Sequence, residues 1–487
     1  MRKACRPSLC SLWLAALLIM PAAWAQLQIN SSPSKVGSGA RALGMGSAFI
    51  AIADDATAAS WNPGGLPQLE RPEVSVVYAW KRFEEDFSSP VYRGMNQDNG
   101  VNLDDLNYAS VVWPVRRTIA GRNLVFSLNY QRQFDFDRQL DFDLNTFTTL
   151  FSGTIQQTRF LGDYAQAGSL SSLSPALAFE ITNRLSLGMA VNFYDQDLLS
   201  ANHWSSRQEG LSQFTTNGIY LANSLGHYRQ YEDHDDFKGT NVTLGALFKP
   251  TPRLSVGLVY HSQMTAEVNF TRRFRSFQGG IPIFRIHQEI DREITFPESF
   301  GVGLAYRFPN DKLTLSFDVT RTEWDDFIIE DKRAVTHSPQ GVSLGIPRPQ
   351  RTSGVTGLDE RLSDVDPTYT LRLGMEYVFV DETKPQQDIL PSIRAGVFYD
   401  PEPASGRSDA PLGFGPNNGL EPEGDGKPND FYGVSLGMGF LFKNRINFDF
   451  AYQYRWGGDA RKDTYGLKAT DADVRQHYFY ASTVIYF

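Results

Sequence analysis

Long stretches of this chain alternate strictly between apolar residues and small or polar ones, and that alternation limits the fold more than any other feature. Leu124, Phe126, Leu128 and Tyr130 share one phase; Val125, Ser127, Asn129, Gln131 and Gln133 share the other. Leu185, Leu187, Met189, Val191 and Phe193 oppose Ser186, Gly188, Ala190, Asn192 and Tyr194, and Leu313, Leu315, Phe317 and Val319 oppose Thr314, Ser316, Asp318 and Thr320. Phe448, Phe450, Tyr452, Tyr454 and Trp456 oppose Asn447, Asp449, Ala451, Gln453 and Arg455. A period of two belongs to a β-strand, whose successive side chains point to opposite faces. In a soluble sandwich the greasy faces of two sheets pack together. In an outer-membrane barrel they face lipid and the polar faces line the lumen. Only a closed sheet crosses a bilayer, because no backbone group can stay unpaired in hydrocarbon.

Connection lengths favour closure. The pattern predicts fourteen strands, near 74–86, 106–117, 122–136, 171–182, 184–200, 236–248, 252–275, 283–308, 312–331, 365–380, 389–401, 429–443, 444–457 and 475–487. Tight joins rich in turn residues, such as Thr182-Asn183-Arg184, alternate with long ones at 137–170, 201–235, 332–364 and 402–428. Short turns at one rim and long loops at the other, with both termini in the periplasm, are the pattern of an outer-membrane barrel. The chain also ends on an alternating strand, with Phe479, Ala481, Thr483, Ile485 and Phe487 on one face.

Composition removes other classes. With 34 Phe, 21 Tyr and 8 Trp in 487 residues, disorder is excluded. Past residue 25 no apolar run nears the ~20 residues of a spanning helix. A net charge of −9 argues against a nucleic-acid partner.

Residues 1–25 read as a secretory signal peptide: Arg2, Lys3 and Arg6, an apolar core from Leu12 to Met20, then Ala23-Trp24-Ala25 before Gln26. A short membrane anchor is the alternative. Cleavage removes those three basic residues and no acidic one, taking the charge from −9 to −12. Cys5 and Cys10 leave with it, so no disulfide, thiol nucleophile or Cys-held metal is expected in the mature chain.

Residues 26–72 do not alternate. They are rich in Ala and Gly and contain the turn former Asn62-Pro63. Such a segment lacks a core of its own. A barrel of fourteen strands leaves a lumen that side chains alone do not fill. The segment is therefore expected to plug the lumen as a hatch, the alternative being a periplasmic tail. The expected architecture is all-β: a 14-stranded antiparallel transmembrane β-barrel over 73–487 with an N-terminal lumenal hatch over 26–72.

Several segments carry a family likeness: Gly39-Ala-Arg-Ala-Leu-Gly-Met-Gly46, Ala53-Asp-Asp-Ala-Thr-Ala-Ala-Ser-Trp-Asn-Pro63, Phe296-Pro-Glu-Ser-Phe-Gly-Val-Gly303, Thr322-Glu-Trp-Asp-Asp-Phe327 and Leu371-Arg-Leu-Gly-Met-Glu-Tyr377. On these the mature chain resembles the FadL family of outer-membrane transporters of long-chain fatty acids and other hydrophobic compounds. Asn62 and Pro63 match the family's Asn-Pro-Ala hatch motif, with Gly64 where Ala is usual. The resemblance implies a 14-stranded barrel with a hatch, uptake without energy input, and release by a hatch shift, with a sideways gap in the wall as one route. It also implies a monomer whose partners are outer-membrane lipid, lipopolysaccharide and a hydrophobic small molecule. The first two segments are similar as well to barrels that assist secretion.

Expected gating residues are Gln26, Asn62, Pro63 and Gly64. Apolar residues in polar loops, among them Leu211, Phe214, Ile219, Leu221 and Leu225, with Leu150, Phe151, Phe160 and Leu161, either form a landing patch or pack the loops down. Lumen-phase candidates for a ligand pocket are Val259, Val378, Phe398 and Leu441. Arg372 and Arg394 either meet a carboxylate head group or pair with lumen acids such as Glu376 and Asp449. No cofactor, metal or catalytic residue is expected: no His lies in a nucleophile motif, and the acidic runs 232–236 and 421–426 read as solvated loop charge rather than calcium loops. A general porin, a secretion-assisting barrel and an outer-membrane phospholipase are the rival classes.

Overall fold

A computed structural model of the chain describes residues 37–88, 98–115, 121–149, 155–216, 219–223, 227–278, 280–309, 311–338, 341–344, 350–355, 359–363, 365–381, 387–403, 428–460 and 471–487. Gln26 and the expected signal peptide lie outside these residues, as do Leu150, Phe151, Leu225 and the acidic run 421–426.

In chain order the strands are β1 (Glu73–Ser88), β2 (Asp98–Pro114), β3 (Leu124–Asp135), β4 (Arg138–Thr149), β5 (Ile155–Thr182), β6 (Leu185–Asp195), β7 (His203–Thr216), β8 (Ile219–Asn223), β9 (His227–Thr251), β10 (Leu254–His261) and β11 (Met264–Gln278). They continue as β12 (Ile281–Phe296), β13 (Ser299–Arg307), β14 (Leu313–Thr322), β15 (Ile328–Ser338), β16 (Gly341–Leu344), β17 (Gln350–Ser353), β18 (Thr368–Val378), β19 (Ile389–Tyr399), β20 (Tyr432–Phe442), β21 (Ile446–Ala460) and β22 (Asp471–Tyr486). Fourteen of them pair antiparallel round a closed ring: β1, β2, β3, β5, β6, β9, β10, β13, β14, β18, β19, β20, β21 and β22. The ring closes where β22 meets β1, from Glu73–Tyr486 to Ser88–Asp471.

The greasy phase faces outward. Leu187, Met189 and Phe193 on β6, Leu315 and Phe317 on β14, and Phe448, Phe450 and Tyr452 on β21 are all exposed, while the opposite phase is buried. Among the described residues no second sheet covers those apolar rows, so their natural solvent is the hydrocarbon of a bilayer.

Three segments expected as single strands are each broken in two, the one near 312–331 by the 3-10 turn Trp324–Asp326 between β14 and β15. The stretch near 252–275 divides at Ser262-Gln263 into β10 and β11, and the stretch near 283–308 divides at Pro297-Glu298 into β12 and β13. Pro297 lacks the amide a ladder needs, so the break falls there. β10 then stays in the ring while β11 leaves it. Above the long-loop rim the wall continues as β4, the first half of β5, β7, the first part of β9, β11, β12 and β15. Among the described residues the long joins 137–170 and 201–235 are thus largely strand, and 332–364 holds strand at 332–338, 341–344 and 350–353.

One seam interrupts the ring. β2 pairs with β3 only from Tyr108–Gln131 to Pro114–Val125. Beyond that, side chains bridge the two strands. Lys81, fully buried, donates to Asp135 at 2.6 Å and to Asp105 at 3.3 Å, and Arg132 reaches Asp105 at 3.3 Å and also pairs with Asp135.

Residues 37–69 sit inside the ring. They form two short helices, α1 (Ala40–Gly44) and α2 (Ala58–Trp61), and a 3-10 turn at Pro63–Gln68. Their buried side chains join cores shared with inward wall residues such as Val77, Ala79, Val112 and Ala178.

Candidate functional site

The wall receives this plug on a belt of glycines. Gly188 on β6 faces Gly245 on β9; Gly257 on β10 faces Gly303 on β13; Gly374 on β18 faces Gly396 on β19. A β-carbon on Gly188 would overlap the carbonyl of Pro63, and one on Gly396 would overlap the amide of Gly46. Glycine at these places lets plug backbone lie directly on wall backbone.

Asn62 fastens that contact. Its amide donates to the carbonyls of Ile50 (2.9 Å) and Ala246 (3.0 Å), and its Oδ1 accepts from the Gly64 amide at 3.0 Å. The Ser186 hydroxyl donates to the Gly64 carbonyl at 2.5 Å. Pro63 opens the 3-10 turn, a position that suits its fixed φ. Three expected gating residues therefore lie where the plug is hydrogen-bonded to the wall.

Charge holds it further. Arg41 on α1 donates through Nε (2.9 Å) and Nη2 (2.8 Å) to both oxygens of Glu376 on β18, and through Nη1 to Asp54 at 2.5 Å. Arg394 donates to Glu376 and Asp449, each at 2.7 Å. Its guanidinium is thus paired with the two lumen acids. Burial alone would lower the Arg41 pKa, but Asp54 and Glu376 outweigh it and hold the guanidinium well above its usual value. Burial raises the neighbouring Asp55 carboxyl, although Arg41 and the Thr57 hydrogen bonds oppose the rise.

Toward the long-loop rim the lumen narrows to an aromatic roof. Phe134 stacks on Phe296 at 5.1 Å, Phe327 lies tilted 5.5 Å from Phe296, and Phe136 lies 4.6 Å from Trp204. β3 and β12 are not sheet neighbours, so the Phe134–Phe296 stack crosses the lumen. Beyond it, His234 lies between Trp204 (4.3 Å) and Phe270 (4.7 Å). The run 232–236 does not converge: Glu232 and His234 are buried, whereas Asp235 and Asp236 are exposed.

Between plug and roof lies a cavity of about 160 Å³. Its floor is Ser38, Ser47 and Trp61 of the plug; its apolar wall is Val259, Phe134, Phe296 and Trp324; hydroxyls of Ser299, Thr320, Thr368 and Thr370 line the rest together with the charged groups of Asp318, Arg372, Asp400, Glu402 and Arg455. Of the expected pocket residues, Val259 and Arg372 line this cavity. Phe398 lies beside it, over Gly433. Leu211 is distant, half-buried on β7 and paired with Leu161 of β5. Of Phe214 only the backbone is described; it pairs with Thr158. The roof went unread as a lumen feature, although Phe296 and Trp324–Phe327 stand in quoted segments. The signal was the proline that follows Phe296.

A closed 14-stranded antiparallel barrel with outward apolar rows and a filled lumen defines an outer-membrane barrel of the plugged class. The model of the outer membrane protein transport family (OMPP1/FadL/TodX) matches residues 18–484, and the chain belongs to that family. Its members are transport proteins of the outer membrane that handle hydrophobic compounds. Among solved structures, a Pseudomonas aeruginosa FadL homologue is 15% identical, with a TM-score of 0.58 over 93% of this chain and 99% of the other. The Pseudomonas putida toluene transporter TodX is 14% identical, with a TM-score of 0.52 over 94% and 100%. The CymD monoaromatic hydrocarbon channel is 16% identical, with a TM-score of 0.51 over 94% and 99%. At these identities the likeness is one of fold. No curated protein matches the chain.

Proposed function

We propose that this protein is a passive uptake channel for hydrophobic compounds, long-chain fatty acids or others, with its termini in the periplasm, its apolar rows against membrane lipid and lipopolysaccharide, and residues 37–69 acting as the hatch. The observation that carries the reading is the order of features in the lumen: aromatic roof, small cavity, fastened plug. A solute leaving water for apolar surface gains about 25 cal/mol per Å², so the roof draws it inward, and the plug prevents a water-filled pore. That order does not suit a general porin. The seam between β2 and β3, where side chains replace backbone pairing, is where sideways release would break the fewest backbone hydrogen bonds. The reading assigns no catalytic step.

Uptake of labelled palmitate and of labelled toluene by a host lacking its own hydrophobe transporter tests it. Expression should restore at least one. Restoration of neither, with the barrel correctly inserted, removes the reading. A stoichiometric secreted partner recovered with the barrel would replace it with the secretion-assisting role.

A further inference from the structure

The outer face of the sheet above the long-loop rim carries a charge arrangement that transport through the lumen does not use. Tyr260 of β10 and Phe300 of β13 pair outside the ring with their rings 4.8 Å apart. Beyond them the outward residues of β11 are polar: Thr265, Glu267, Asn269 and Thr271, followed by Arg273 and Arg275, both exposed. At about 3.3 Å per residue and a tilt of about 45°, the stretch from Met264 to Arg275 climbs on the order of 25 Å above the rim.

One register line crosses six strands at that height: Asp141, Asp163, Glu209, Arg229, Arg275 and Arg285, on β4, β5, β7, β9, β11 and β12. Arg275 therefore has an arginine directly opposite on either side, an arrangement that costs stability when nothing neutralises it. Arg229 is neutralised by Glu209 at 2.9 Å, and Glu209 also meets His227 at 2.8 Å. Arg207 answers Asp163 at 2.9 Å, and the outward Glu289 lies 3.6 Å from His287. Among the described residues no carboxylate lies within ion-pair distance of Arg273, Arg275 or Arg285. In a chain of net charge −9, these three planar, bidentate donors form a local excess of positive charge.

Resting on the outer-membrane orientation given under the transport reading, we propose that Arg273, Arg275 and Arg285 form a docking face for the phosphorylated sugars of lipopolysaccharide standing beside the barrel. Phosphate matches the arginine fork, and the face stands above the hydrocarbon, level with a sugar layer. A second copy of the chain is a poorer occupant, because the acids it would offer from the same line, Asp163 and Glu209, are already answered by Arg207 and Arg229.

Lipopolysaccharide with a phosphorylated core, and the same material chemically dephosphorylated, are titrated into the full-length barrel in mild detergent, with binding read by microscale thermophoresis and native mass spectrometry. The phosphorylated form should bind more tightly, and its binding should weaken as salt is raised, since exposed charges are screened. Replacing Arg273, Arg275 and Arg285 together by Gln should weaken it by about tenfold or more. Lys332→Gln, which removes an exposed basic charge already paired with Glu293, should cost far less. The three arginines are exposed and hold no ion pair among the described residues, so the variant should insert normally; heat-modifiable mobility on gels checks this. Equal binding of the two lipopolysaccharides, parent-like binding by the triple variant, or an equal loss from Lys332→Gln would each overturn the inference. A concentration-dependent dimer abolished by the triple variant would also overturn it, giving the face to a second copy. Each of these results leaves uptake of palmitate or toluene, and so the transport reading, standing; loss of uptake with phosphate-dependent binding intact would remove the transport reading alone.

Discussion

The plug meets the two sides of the barrel in different ways. From β6 round to β19 it lies backbone to backbone on the glycine belt, fastened by Asn62 and by the Arg41–Glu376 pair. From β21 through β1 to β2 it touches the wall through side chains: Ala40 and Leu43 pack with Val77, Ala79, Ala451 and Tyr480, and the Tyr108 hydroxyl donates to the Ala56 carbonyl at 3.0 Å. Backbone contact leaves no atom that can rotate away, whereas side-chain contact can be repacked. The glycine side therefore fixes where the plug sits, and the side-chain side, which includes the β2–β3 seam, is where it can yield.

Three substitutions sharpen or break this contrast. The largest effect is expected from Glu376→Gln, which leaves Arg41 and Arg394 without their shared carboxylate. Breaking a buried ion pair costs about 3–5 kcal/mol, so plug docking should fail and ion conductance rise, as read in planar bilayers. Next is Gly396→Val. Its β-carbon would overlap the plug backbone, and overpacking of this kind costs about 1–3 kcal/mol; protease access to residues 37–69 should increase. The smallest effect is expected from Tyr108→Phe on the opposite side. It removes the one phenolic proton shared between the Ala56 carbonyl and Asn129 Oδ1, worth about 1 kcal/mol, and should leave conductance at the parent level. Equal protease access to residues 37–69 in Gly396→Val and Tyr108→Phe would erase the distinction between the two sides.

Much of the ring was legible because its signal is local. Alternation at 124–130, 185–193 and 313–319 is set by which face meets lipid, and each strand carries that record in its own residues. The belt glycines fall on the small phase of the same strands, but their reason is the distant plug backbone, which no local pattern states. The broken strands were unread for a similar cause: β11 and β12 keep the same alternation after leaving the ring, since their inner faces cover the roof. Within the site, Val259 and Arg372 were found by phase alone. Phase could not tell that Arg394 would be paired closely with Glu376 and Asp449 while Arg372 would reach only Asp400, at 3.7 Å, because that depends on which acids the register places opposite each arginine.

The central claim is that the intact lumen is sealed by its own N-terminal segment. Single-channel recording of the full-length protein beside a variant lacking residues 37–69 tests it most directly. The account predicts little or no conductance from the intact barrel and large, stable steps from the deletion. Large open steps from the intact protein, unchanged by the deletion, would contradict it.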